Sequence, residues 1–177
     1  DGNFSWERFE DRYTSDLADG LGNLASRSLA MLAKYREGVV PGADGETSLD
    51  EAGRDALDRY AAAMDALDLQ GAAAAAWSLV TTANQYIVQT APWALAKAGD
   101  DPALDGALAT LARCLFRLTV MASPFLPEKS RMLWESLGQA GHPGPAAWAA
   151  ASRPELAATA TSKPAALFPR PDLEPIA

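Results

Sequence analysis

The stretch DDPALDGALATLARCLFRLTVMAS, residues 100–123, decides the fold. Leu104, Leu108, Leu111, Leu115 and Leu118 recur every three or four residues and form one buried row of a helix. Asp101 is its expected cap, Pro102 suits its first turn and Pro124 ends it. Earlier segments repeat the pattern. A first helix is predicted from Ser5 to Arg36, with Phe9, Leu17, Leu21, Leu24, Met31, Leu32 and Tyr35 at helical spacing, stopped by Gly38 and Pro41. PGADGE (41–46) reads as a loop, and SLDE (48–51) as a capping box of Ser48 with Glu51 that opens a second helix ending near Leu67. Asp68 caps a third, which places Ala76, Val80, Ala83 and Ile87 on one stripe with Leu79 and Tyr86 beside it. Pro92 breaks that pattern, and PWALAK (92–97) is a short helix or turn.

A last short helix starts near Pro127 and carries Met132, Leu133, Trp134 and Leu137; from Gly138 onward Gly, Ala and Pro dominate. The predicted fold is all-α, an antiparallel bundle of about five to six helices with an irregular C-terminal tail. Residues 1–138 form the bundle, and residues 139–177 a segment that ALFPR (166–170) folds back over it.

The chain has 177 residues, 49% of them hydrophobic, enough for one domain with a real core. Alanine is abundant and β-branched residues are few, which favours helix over sheet. No apolar run reaches membrane-spanning length, and the polar N-terminus carries no signal peptide. The opening DGNFSW begins at Asp1 rather than Met, which reads most simply as a cut from a longer chain, with tag removal or processing as alternatives. The one cysteine, Cys114, forms no internal disulfide and fits a reducing compartment. A net charge of −8 argues against a general nucleic-acid coat, though not against recognition of a few unpaired bases.

No independent active site is legible. His142, the only histidine, lies in the turn GHPG, and Cys114 adjoins the leucine row, where packing explains it better than nucleophilic work. There is no P-loop and no dinucleotide fingerprint. The carboxylates of DRYTSDLADG and DALDRYAAAMDALD are spaced as solvated faces, and PEKSR (127–131) reads as an exposed first turn rather than a phosphate site. No catalytic residue and no metal ligand is assigned.

Within LGNLASR (21–27), Asn23 and Arg27 project together from a flank roughly 100° from the leucine stripe. An amide and a planar guanidinium fork suit the edge of a base; an ordinary polar flank, with Arg27 paired to a carboxylate, is the plainer reading. Lys34 and Arg36 follow on the same helix and add a local basic stretch. Trp93 follows QTAP at a helix break, which lifts an indole out of the core to serve as a stacking platform, or leaves it covering the bundle's end. Trp77 and Trp134 are better core candidates, and Trp6 and Trp148 stay open.

These residues carry a resemblance. DGNFSWERFEDRYTSDLADGLGNLASRSLAML, ANQYIVQTAPWALAK, LFRLTVMASPFLPEKSRMLWESLG and KPAALFPR together resemble the anticodon-binding domain of bacterial methionyl-tRNA synthetase. The resemblance implies that Asn23, Arg27 and Trp93 contact the anticodon, with the tryptophan stacked on its first base, a cytosine, and the polar pair reading that base's edge. Asn84 and Gln89 are neighbours of the same region. It further implies a domain that reads the CAU anticodon of initiator and elongator methionine tRNA, working beside a catalytic Rossmann-type domain of the same polypeptide in the cytoplasm. This segment itself is expected to need no cofactor, while the full-length enzyme uses ATP and methionine. HIGH-type and KMSKS-type signatures do not occur here, so this segment alone is expected to be non-catalytic. A free-standing helical tRNA-binding module and a helical protein-interaction scaffold without RNA binding are the alternatives.

Overall fold

The computed structural model describes residues 5–163 and 166–169. Among them, eight α-helices and one π-helical segment occur: α1 (Trp6–Arg12), the π segment (Tyr13–Gly22), α2 (Asn23–Arg36), α3 (Ser48–Asp65), α4 (Leu69–Thr90), α5 (Pro92–Ala98), α6 (Asp101–Ala122), α7 (Pro127–Ser136) and α8 (Pro145–Ala150). Because α1, the π segment and α2 run on without a break, the bundle consists of six continuous helices, with α8 a further one in the C-terminal segment. The all-α bundle read from the sequence is the observed fold.

Helix α6 is the axis, and it packs on α2, α3, α4, α5 and α7. Its five-leucine row is buried throughout, and Ala107, Ala109, Ala112, Cys114 and Met121 are buried as well. A helix apolar on nearly every side belongs at the centre of its domain. On α4, Ala76, Val80, Ala83 and Ile87 form a buried stripe, where small alanines let backbones approach closely. Trp134 is buried, its ring 4.8 Å from that of Phe116, and Trp77 is half-buried, whereas Trp6 and Trp148 are exposed.

Several local expectations shift. The first helix is not α throughout: residues 13–22 are π-helical, and α4 side chains bond two of their carbonyls. Phe9 is exposed, since α1 extends past the core. Glu37, not Gly38, takes the first left-handed position after α2, with φ 54°. The capping box is Thr47 with Asp50, not Ser48 with Glu51. Thr47 is the extended residue, and Asp50 turns inward to two arginines, which sets the frame of the first turn. Asp100, not Asp101, caps α6: its carboxylate accepts from the Ala103 N–H, the first available beyond Pro102. The C-terminal segment is not wholly irregular, because Pro145 starts α8 and Ala147 is buried.

Further along that segment the Val40 N–H donates to Thr159 O at 2.9 Å, and the Ala158 N–H donates to Val40 O at 2.9 Å. Leu156, Leu167 and Phe168 are buried in the core. Residues 1–4 of DGNFSW, and residues 164–165 and 170–177 of the segment expected to fold back, lie outside the described residues.

A buried ionic cluster joins α3, α6 and this segment. Arg113 grips Asp50 through two hydrogen bonds of 2.8 and 2.6 Å, and Arg117 donates to the same carboxylate at 2.9 Å. Arg117 also donates to the carbonyls of Ala151 and Ser152. Gly53 leaves room for it: a Cβ there would lie 2.8 Å from the Arg117 Cδ.

Candidate nucleic-acid interface

The break after α4 positions Trp93. The Ala91 N–H closes α4 by donating to Ile87 O, and Ala91 itself turns left-handed at φ 43°. Pro92 then starts α5, its fixed φ suiting a first helical position. Pro92 is buried while the next residue faces out, so the Trp93 indole is 46% exposed. That exposure suits a surface platform better than a core plug.

Helix α2 supplies the other side. Its face of Leu24, Ala25, Ser28, Leu29 and Leu32 is buried, which leaves Arg27 half-buried on the flank. The Arg27 guanidinium carbon lies 6.0 Å from the Trp93 ring centroid, at the outer limit of a cation–π contact. Among the described residues no carboxylate pairs with Arg27, so its fork of donors is not spent on an internal ion pair. Asn23 opens α2 one turn earlier and is exposed. An indole and a guanidinium thus meet on one outer surface, with the Asn23 amide one turn away on the same helix as the guanidinium.

The other nominated residues are placed differently. Asn84 is half-buried and its amide is engaged with backbone, donating to Val80 O at 3.1 Å and to Gly20 O at 3.4 Å. Gln89 is exposed near the end of α4. The basic stretch of Arg27, Lys34 and Arg36 shrinks, because Arg36 is held by Asp105 and Asp101 at 2.5 and 2.8 Å. The hydrogen bond to Asp105 is the main reason its pKa is raised. Lys97, missed in the sequence, lies on α5 one turn after Trp93 and restores positive charge to this end.

Elsewhere the chemistry is structural. Burial pushes the Cys114 thiol up to about 12, so it is neutral at ordinary pH. His142 is exposed in its loop. In PEKSR and beyond, Arg131 bridges Glu128 and Glu135, which makes an exposed ion-pair ladder rather than a phosphate site. A cavity of about 490 Å³ opens beside Asp50, Arg113 and Arg117, but the guanidinium groups there are committed to Asp50 and to backbone carbonyls. The sequence reading missed this cluster. Its only signal was two arginines one turn apart in the apolar second half of α6.

Residues 37–172 match the family described as the anticodon binding domain of methionyl tRNA ligase. The chain belongs to that family. Trp93 falls inside the matched stretch, and Asn23 and Arg27 precede it. Alignment to the methionine–tRNA ligase of Streptomyces coelicolor takes in the whole chain, at 40% identity over 193 aligned residues. The Deinococcus radiodurans ligase is 38% identical over 91% of the chain. The free methionyl-tRNA synthetase of Mycobacterium tuberculosis superposes on 98% of the chain with a TM-score of 0.87 and 30% identity. That enzyme's complex with methionyl-adenylate superposes with a TM-score of 0.85. The chain spans only 35% of the Streptomyces protein, 24% of the Deinococcus protein and 36% of the Mycobacterium chain.

Proposed function

We propose that this domain reads the CAU anticodon of methionine tRNAs, initiator and elongator alike, for a cytoplasmic methionine–tRNA ligase. Trp93 stacks on the first anticodon base, a cytosine. Arg27 donates to the acceptors on that base's edge, and Asn23 adds an amide beside it. Activation of methionine with ATP and its transfer to tRNA belong to a Rossmann-type catalytic domain of the same polypeptide.

The observation that carries the reading is the approach of Arg27 to within 6.0 Å of a half-exposed Trp93. Stacking needs an exposed aromatic ring, and edge recognition needs donors near it; a half-exposed Trp93 with the Arg27 guanidinium beside it, free of a competing carboxylate among the described residues, supports that reading. The overall charge of −8 does not oppose this, because Arg27, Lys34 and Lys97 lie on the two helices, α2 and α5, that would meet RNA.

The test is titration of an anticodon stem-loop bearing CAU, and of loops with another first base, by calorimetry. Wild-type protein is expected to prefer the CAU loop. Arg27→Ala is expected to reduce that preference more than overall affinity. Equal binding of every loop, or equal weakening by Arg27→Ala, would assign the arginine to phosphate and overturn the reading.

A further inference from the structure

The π segment needs a cause. An i→i+5 ladder is rare and appears mostly as single turns near functional sites, yet this one runs from Tyr13 to Gly22 and stops where Asn23 begins α2. Two side chains of α4 bond its carbonyls. The Trp77 Nε1–H donates to Asp16 O at 3.1 Å, and the Asn84 amide donates to Gly20 O at 3.4 Å. A carbonyl has two lone pairs, so it can serve the ladder and a side chain together. The C-terminal segment also braces it: the Tyr13 hydroxyl donates to Pro169 O, and Phe168 packs on Gly22. A Cβ on Gly22 would lie 3.1 Å from Leu17 O and 3.2 Å from Phe168 Cδ2, so a larger residue would press its neighbours aside by a few tenths of an ångström.

Gly20 O is the junction. It accepts from the Asn84 side chain, and it shares the backbone N–H of Asn23 with Ala18 O. The helix that bears Asn84 leads directly, through Ala91 and Pro92, to Trp93. One acceptor therefore ties the start of α2, which carries Asn23 and Arg27, to the helix that delivers the indole. Each residue gained or lost in the ladder turns the downstream helix by about 100°.

We propose that Asn84 is a positioning residue of the base-reading surface, fixing through Gly20 O where Asn23 and Arg27 stand relative to Trp93. It touches no base. This rests on the function proposed above and adds to it a residue acting behind the surface.

The test is a double-mutant cycle read as first-base discrimination, the ratio of affinities for the CAU loop and a loop with another first base. Asn84→Ala is expected to lower that ratio about three- to tenfold, the range of one ordinary hydrogen bond. In an Arg27→Ala background the additional loss is expected to shrink, because Asn84 acts through the groups that α2 presents and only Asn23 remains of them. Asn84→Leu, which keeps the bulk and lacks the donor, is expected to behave as Asn84→Ala and covers the case in which alanine fails to fold. Amide hydrogen exchange without RNA is expected to speed up at Asn23 in both variants.

Equal weakening for both loops, full additivity with Arg27→Ala, or unchanged exchange at Asn23 would overturn the proposal. If wild-type protein shows no discrimination at all, the functional reading fails instead, and the exchange measurement still decides whether Asn84 holds the π segment.

Discussion

Replacing Asp50 with alanine leaves two guanidinium groups facing each other with no anion between them. Arg117 and Asp50 are each 1% exposed, so the carboxylate's charge is not replaced by bulk solvent, although the adjoining cavity lets water reach the more open Arg113 side. Removing one partner of a buried ion pair costs about 3–5 kcal/mol. At about 2–4 °C per kcal/mol for a chain of this length, the melting temperature is expected to fall by about 6–20 °C. The Thr47–Asp50 capping box goes with it, which places the loss toward the upper end.

The assay is thermal unfolding by circular dichroism, with Asp50→Ala compared to a triple variant that also carries Arg113→Met and Arg117→Met. The triple variant is expected to recover much of the loss, because the uncompensated charges are gone. Acid gives an independent readout. Burial alone pushes the Asp50 carboxyl up, but the hydrogen bonds from Arg113 and Arg117 more than offset it and hold the group well below the usual carboxylate range. A depressed carboxyl contributes stability above its ordinary pKa of about 3.9 that is lost as pH falls through the depressed value. Wild-type protein is therefore expected to lose melting temperature below pH ~4 more steeply than Asp50→Ala. A drop of less than about 2 °C for Asp50→Ala at neutral pH would show that the cluster is solvated and the reasoning wrong.

Trp93→Ala is expected to weaken stem-loop binding by about 1–3 kcal/mol. Its melting temperature should stay near wild type because the indole is half out of the core, so a large fall in thermal denaturation would return Trp93 to a packing role. Gly53→Ala forces its Cβ against the Arg117 stem and is expected to cost about 1–3 kcal/mol in chemical denaturation. Cys114, neutral and buried, is expected to resist iodoacetamide at pH 8 in the folded protein and to react once unfolded, as followed by mass spectrometry. Lys97→Ala is expected to reduce the salt dependence of stem-loop binding by about one counterion while leaving first-base preference intact, as measured across a salt series.

Helical period, proline and glycine punctuation and cap residues are local properties, and they carried the reading a long way. The five leucines of α6, the prolines that open α5, α6 and α7, and the apolar stripe of α4 sit where their spacing puts them. Asn23, Arg27 and Trp93 could be nominated from residue type and from resemblance. Frame errors of one residue, Thr47 for Ser48 and Asp100 for Asp101, arose where adjacent residues are equally able to cap and only the packing behind them chooses.

By itself, then, the sequence determined a helical bundle and the residue types available to meet a base, because those depend on neighbours three and four positions away. Only the tertiary structure decided that Arg27 stands over Trp93 while Arg36 is tied to Asp105, that Asp50 anchors two arginines, and that the first helix widens into a π segment held by α4. Each of these is a contact between residues far apart in the chain, where several partners of like chemistry compete, and the winner is set by which helix faces pack together.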